Sequence, residues 1–356
     1  MFETFFMCLL VPLLVIFFHF LYIKKTGNGT TSFILQSLIL SVVILLTGIC
    51  VGIFTQVADK EIRNGEVISK SREVVSCSHS YPCNCTKDGC STCFRHIHDY
   101  DWVVKTNIPY NFTIARVDEQ GNDEPRRWTS VKIGDPVSDS FTYINYIKGA
   151  KTSLFNKGIS DVDINDVPTY PSTTYDYYHI DRVIGVGVPV KKEWSQKLQD
   201  SLSKMGPRYQ VNVILVITNK PESFNDSLEY KWGGGKKNDV IVVVNINPET
   251  NEIGWSNVIS WTPDQLFKVE LRDDIVAGKT FDFDVVLGKI ESHISKNWKR
   301  MHMKDFSYLS SDIDIPIGFL VGSIILSISG YFGFYFHLMN RNFSAIKLSR
   351  IRRRFS

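Results

Sequence analysis

This sequence lacks a marked excess of charge of either sign. Its 40 Lys and Arg against 37 Asp and Glu leave a formal net charge of +3, too small to neutralise a nucleic-acid backbone, so nucleic acid is not an expected partner. The familiar catalytic signatures are missing too. There is no HExxH helix, no GxxxxGK[ST] phosphate loop and no Ser-His-Asp set, so neither a metalloprotease, a P-loop nucleotidase nor a serine hydrolase is indicated. Gly185-Val186-Gly187 lacks the third glycine of a dinucleotide fingerprint and runs into Pro189, which sets nucleotide binding aside. No positive charge precedes the first apolar run and no small-residue cleavage site follows it, so a transmembrane span is expected there rather than a cleaved signal peptide.

Long apolar runs are what the chain has instead. Residues 4–23, 32–58 and 315–340 are almost free of charge, and each is long enough to cross a bilayer. Lys24 and Lys25 fall in the short loop between the first two runs, and Arg350, Arg352, Arg353 and Arg354 follow the third in a basic tail, 341–356. The excess of Lys and Arg on cytoplasmic loops then predicts the N-terminus outside, residues 59–314 extracytoplasmic and the tail inside a cytoplasmic (inner) membrane. Gly48 and Gly52 in the second run, and Gly318 and Gly322 in the third, each form a GxxxG. Small residues four apart let helix backbones approach closely in lipid, within one chain, between copies or toward another membrane or envelope protein. The bland reading is that glycine is common in membrane helices.

The exposed part opens with a charged, helical or extended stem. It continues with Cys77, Cys83, Cys85, Cys90 and Cys93, beside His79, His96 and His98. Two chemistries fit five cysteines within seventeen residues. Outside the cell they staple a loop too small for its own core, whereas thiolates with an imidazole hold tetrahedral zinc. Five is odd, so one thiol stays free, pairs between chains, or joins a histidine in a metal site. The Cys90-x-x-Cys93 pair is not placed between a strand and a helix, as a thiol oxidoreductase would need.

β-rich runs at 102–106, 112–117 and 128–133, separated by Pro- and Gly-containing turns, complete a Cys-rich and β-rich module over 59–155, with a helix expected over 141–155. Residues 156–181 read as an irregular connection rich in tyrosine (Tyr170, Tyr175, Tyr177, Tyr178). From 182 to 300 the pattern becomes α/β. A helix over 192–205 is stopped by Gly206-Pro207, a strand over 208–218 begins with alternation and then becomes continuously β-branched, and a helix over 221–230 ends at Trp232-Gly233-Gly234-Gly235. A second buried strand follows at 239–245, then a third over 252–261 and helices after Asp264 and from Phe283 to Trp298. Strand, helix and strand at that spacing make a parallel crossover. Residues 301–314 form a stalk.

Trp232-Gly233-Gly234-Gly235-Lys236-Lys237-Asn238-Asp239 followed by Val240 to Val244 resembles the core of the TPM domain family, with similarity from about 182 to 298. That resemblance implies a membrane-anchored extracytoplasmic α/β domain, acting either as a phosphatase or as an assembly factor. The chain is also similar to a group of tailed-phage membrane proteins with a Cys-rich segment, which implies a factor acting at a host envelope. Where the family has a glycine-rich acidic turn, this chain reads Trp255-Ser256-Asn257-Val258, so an inherited metal-dependent phosphatase site is not expected.

Asp239, Asp273 and Asp274 lie nearest the strand ends and loops where open sheets bind ligands, and are candidate ligands for a cation; helix capping and ordinary surface charge are the plainer alternatives. The expected architecture is a membrane-anchored α/β protein: three transmembrane helices, a small Cys-rich β module and a TPM-like α/β sandwich domain. Its expected role is extracytoplasmic binding or assembly. The alternatives are a metal-dependent phosphatase of the TPM type and a thiol- or metal-based sensor, with zinc at the Cys cluster as the one cofactor indicated.

Overall fold

A computed structural model of the chain describes residues 12, 14–22, 24, 31–87, 89–108, 112–113, 121–150, 165–174 and 178–352, with residues 31, 112–113 and 342–352 described by their backbone alone. It has mixed α/β content and divides into two compact units.

The first unit takes in residues up to Asp59, Tyr143–Lys157 and the chain from Met303 onward. Its main elements are helix α1 (Thr31–Val57) and helix α8 (Ile317–Arg352). Among the described residues these two helices are long and apolar enough to cross a membrane. Half of the expected first span lies outside the described residues; residues 14–22 are helical, and His19 Nδ1 lies 2.8 Å from the Tyr331 hydroxyl.

Helices α1 and α8 run antiparallel, since Ile34 clusters with Tyr335 while Ser41 meets Ser327 and Gly52 faces Phe319. Serines 37, 41, 323 and 327 are buried, whereas Leu35, Ile39, Val43, Ile325 and Leu326 are exposed. This inverts the polar-out pattern of a water-soluble helix and matches a helix pair solvated by lipid. The same unit holds the short helix α3 (Tyr146–Gly149), capped by Asn145, and a 3-10 helix, Met303–Asp312.

The second unit comprises residues 60–142 and 158–302. Strand β1 (Ala58–Val75) is long, so the expected stem is extended rather than helical. It pairs antiparallel with β4 (Asp99–Thr106), in a sheet ordered β5-β4-β1-β6 with β5 (Phe112–Thr113) and β6 (Pro136–Ile144). The hairpin of β2 (Ser80–Thr86) and β3 (Gly89–Phe94) forms a sheet of its own.

Two expectations for this region need correcting. Residues 126–130 form a helical turn, α2, instead of a strand. Pro125 starts it, Thr129 N bonds Pro125 O, and the Trp128 indole reaches Val103 O, so packing outweighs the β-branched composition of 128–133. Residues 141–144 belong to β6 and the helix after them is a single turn; residues 114–117 and 151–155 lie outside the described residues.

The α/β part is a sheet ordered β10-β9-β8-β7. Strands β7 (Val183–Val186), β8 (Asn212–Thr218) and β9 (Asp239–Ile246) are parallel, and β10 (Ile253–Ile259) is antiparallel to β9. Val213, Leu215, Ile217, Val240, Val242 and Val244 pack on one face with helices α4 (Lys192–Tyr209), α6 (Gln265–Ala277) and α7 (Phe283–Asn297). Ile214, Val216, Ile241 and Val243 pack on the other with α5 (Ser223–Trp232). Burial on both faces is why these strands are continuously apolar.

Helix α4 passes through Gly206-Pro207 and ends at Gln210, which takes a left-handed φ of 52°. Pro207 falls in the last turn, where loss of one backbone donor is tolerated because Gln210 N still bonds Gly206 O. Strand β8 accordingly begins at Asn212 rather than at Arg208. Gly233, Gly234 and Gly235 all have positive φ, which ends α5 and turns the chain into β9.

Candidate metal centre

The β1/β4 ladder ends at the pair Val75↔Asp99, and the β2/β3 hairpin begins at Ser80↔Phe94. The short segments between them, 76–79 and 95–98, form a neck. Above it, disulfides Cys83–Cys93 and Cys85–Cys90 tie the hairpin across its strands. Cys77, in the neck, carries a free and buried thiol.

Three further side chains meet that thiol. His96 Nδ1 lies 3.7 Å and His79 Nδ1 4.0 Å from Cys77 Sγ. Asp99 receives His96 Nδ1 on Oδ1 at 2.7 Å and His79 Nδ1 on Oδ2 at 3.1 Å. The four ligand atoms all lie within 4.8 Å of one another.

A tetrahedral zinc has Zn–S of about 2.3 Å and Zn–N or Zn–O of about 2.0–2.1 Å, which sets ligand atoms about 3.3–3.6 Å apart. The observed spacings straddle that range. The donor set is also balanced in charge, because a thiolate and a carboxylate together neutralise a divalent ion while the imidazoles bind as neutral ligands.

Asp99 is buried, and burial alone raises a carboxyl pKa. Hydrogen bonds with Cys77, His79 and His96 outweigh that and hold it below its ordinary value, so the carboxylate is ionised, as a ligand must be. The histidines are about one-third exposed (36% and 39%), which leaves a path for an ion to enter.

Comparisons were made with protein-family models, curated proteins and solved structures. None of them matches this chain.

Of the residues singled out in the sequence, the structure brings Cys77, His79 and His96 together and pairs the other four ectodomain cysteines with each other. His98 turns aside to the Tyr100 hydroxyl, 3.3 Å away. Asp99 was missed by sequence reasoning; its signal was an acidic residue three positions after His96, at the start of a strand.

Asp239, Asp273 and Asp274 do not converge. Asp239 is fully buried, accepting from Asn212 Nδ2 (2.9 Å), the Tyr170 hydroxyl (2.7 Å) and Lys236 N (2.7 Å), and so pins the glycine turn. Asp273 pairs with Arg272, and Asp274 with Lys289 and His293. Among the described residues, the one group of three or more His, Cys, Asp or Glu placed to share an ion is that at Cys77. Gly48 and Gly52 face Ser323, Ile315 and Phe319 across the helix pair, whereas nothing lies within 4 Å of a Cβ built at Gly318 or Gly322. Of the tyrosines in 156–181, Tyr170 holds Asp239, while Tyr175 and Tyr177 lie outside the described residues.

Proposed function

We propose that this chain is a three-span protein of a cytoplasmic membrane whose extracytoplasmic part binds or assembles with a partner, and that zinc held by Cys77, His79, His96 and Asp99 sets the base of its disulfide-tied hairpin. The observation that carries this reading is the set of four ligand atoms gathered within 4.8 Å at the neck. Four protein ligands fill a tetrahedral zinc and leave no position for a substrate, so the ion is structural and the module is not an enzyme. The hairpin itself is almost wholly exposed, with Tyr81 and Phe94 facing solvent. Aromatic side chains on a cross-linked support lose little conformational freedom on binding, which suits a contact element.

Antiparallel packing of α1 and α8 supports the topology. It puts the start of α1, which follows Lys24 and Lys25 in the sequence, at the same end as the close of α8 at Arg352, and the positive-inside rule makes that end cytoplasmic. Two disulfides fit an oxidising exterior. The TPM-like assignment and a role at a host envelope rest on the resemblance at Trp232–Val244 and on the Cys segment.

Two measurements test the reading. A reporter active only outside the membrane lights up when fused after Ser310 and stays dark when fused after Ser356; the reverse pattern overturns the topology. Copurification from the native membrane with the intact chain recovers a partner that Tyr81→Ala/Phe94→Ala fails to retain, and equal recovery by both chains removes the hairpin from the binding surface.

A further inference from the structure

A cavity of about 330 Å³ opens within the second unit, lined by Arg63, Asn64, Asn107, Gln210, Asn238 and Arg300, with no carboxylate among its lining residues. Behind it sits Glu61, fully buried. Arg300 holds both oxygens of this carboxylate, Arg63 Nε bonds one at 2.9 Å, and Lys237 lies 3.4 Å away. The two guanidiniums that line the cavity, Arg63 and Arg300, share this one carboxylate, which leaves positive charge over at the cavity.

The hydrogen-bonding groups that remain are mostly donors. Arg63 uses only its Nε on Glu61. Arg300 Nε is buried and has no partner. Asn107 uses its Oδ1 on Glu66 N and Gln210 its Oε1 on Arg300 Nη1, which leaves both amide nitrogens available. One acceptor stands among them. Asn238 is 1% exposed and donates Nδ2 to Ile62 O, so its unpartnered atom is Oδ1. Buried polar atoms without a protein partner are costly and are met by a water, an ion or a ligand. The backbone agrees: Gln210 ends its helix in a left-handed conformation usually left to glycine, at a position where its side chain both lines the cavity and holds Arg300.

We propose that this cavity binds a small organic anion, its carboxylate or phosphate held by Arg63 and Arg300 and a hydroxyl or amine of the same molecule donated to Asn238 Oδ1. The Nη1 and Nη2 fork of Arg63 matches either oxyanion and Arg300 Nε adds a donor, and the volume is at the lower end of small-molecule sites.

The test is calorimetric titration of the full chain in nanodiscs with three probes: inorganic phosphate, succinate and 3-phosphoglycerate. The expected result is saturable 1:1 binding of at least one probe with Kd of about 1 mM or tighter. Binding of phosphate but not succinate assigns the oxyanion as phosphate, and the reverse assigns it as carboxylate. Asn107→Asp keeps the acceptor for Glu66 N while placing a negative charge at the cavity, and is expected to weaken binding about tenfold or more. Arg63→Gln, which leaves Arg300 and Lys237 on Glu61, is expected to weaken it as well. The proposal is overturned if no probe binds saturably up to about 10 mM, or if folded Asn107→Asp and Arg63→Gln proteins both bind as the wild type does.

Discussion

Ser41 Oγ and Ser327 Oγ lie 2.7 Å apart in the buried seam between α1 and α8, and Ser327 Oγ also donates to Ser41 O at 2.9 Å. One turn or two further along, Gly48 faces Ser323 so closely that a Cβ there would overlap its side chain. Gly48→Val therefore forces the helices apart, at a cost of about 1–3 kcal/mol for overpacking. Gly322→Val meets open space. In a Ser41→Cys/Ser327→Cys background, cross-link yield between the helices is expected to fall with Gly48→Val and to stay unchanged with Gly322→Val. Equal effects would show that the seam is not where the structure places it.

Asp239 predicts a pH dependence. Burial pushes its carboxyl up to about 6 from an ordinary 3.8, against the opposing hydrogen bonds from Asn212, Tyr170 and Lys236 N. Between those two values the folded chain keeps a proton that the unfolded chain has released, so stability from this group is full below about pH 4 and is lost as pH rises through about 6. The loss is on the order of 3 kcal/mol for a shift of about two units. Urea unfolding of the full chain should show wild type losing stability relative to Asp239→Asn across that window and running parallel to it above. A flat difference from pH 4 to 7 would mean that the carboxyl titrates normally. Below about pH 4 the Asn variant is expected to be the less stable by about 1–3 kcal/mol, because its amide leaves a buried donor unmet among neighbours that all donate, and that deficit closes as pH rises through about 6.

The disulfide pattern is directly checkable. Partial reduction and alkylation followed by mass spectrometry is expected to find Cys83 joined to Cys93 and Cys85 to Cys90, with Cys77 as a thiol once metal is removed. Any linkage involving Cys77 would dissolve the proposed centre.

Much of the fold was legible because burial on two faces leaves a plain mark. Val213–Ile217 and Val240–Val244 are apolar without interruption, and Trp232–Gly235 needs the positive φ that glycine permits. Local propensity was a poor guide where packing overrode it. Trp128 is drawn into a helical turn by its indole bond to Val103 O, and Pro207 is harmless because it falls in the final turn of its helix. The site was half legible. Cys77, His79 and His96 stand together in sequence as candidates, but Asp99, three positions after His96, is recognisable as a ligand only once the register Val75↔Asp99 sets it beside Cys77 and His79. The cavity at Arg63 and Arg300 was hidden for the same reason, since residues far apart in the chain line it.

The zinc centre is the central claim, and native mass spectrometry of the full chain tests it most directly. The account predicts one zinc per chain in the wild type, lost in Cys77→Ser while both hairpin disulfides persist. Metal-free wild-type protein after purification in zinc-replete buffer, or zinc retained unchanged by Cys77→Ser, would contradict it.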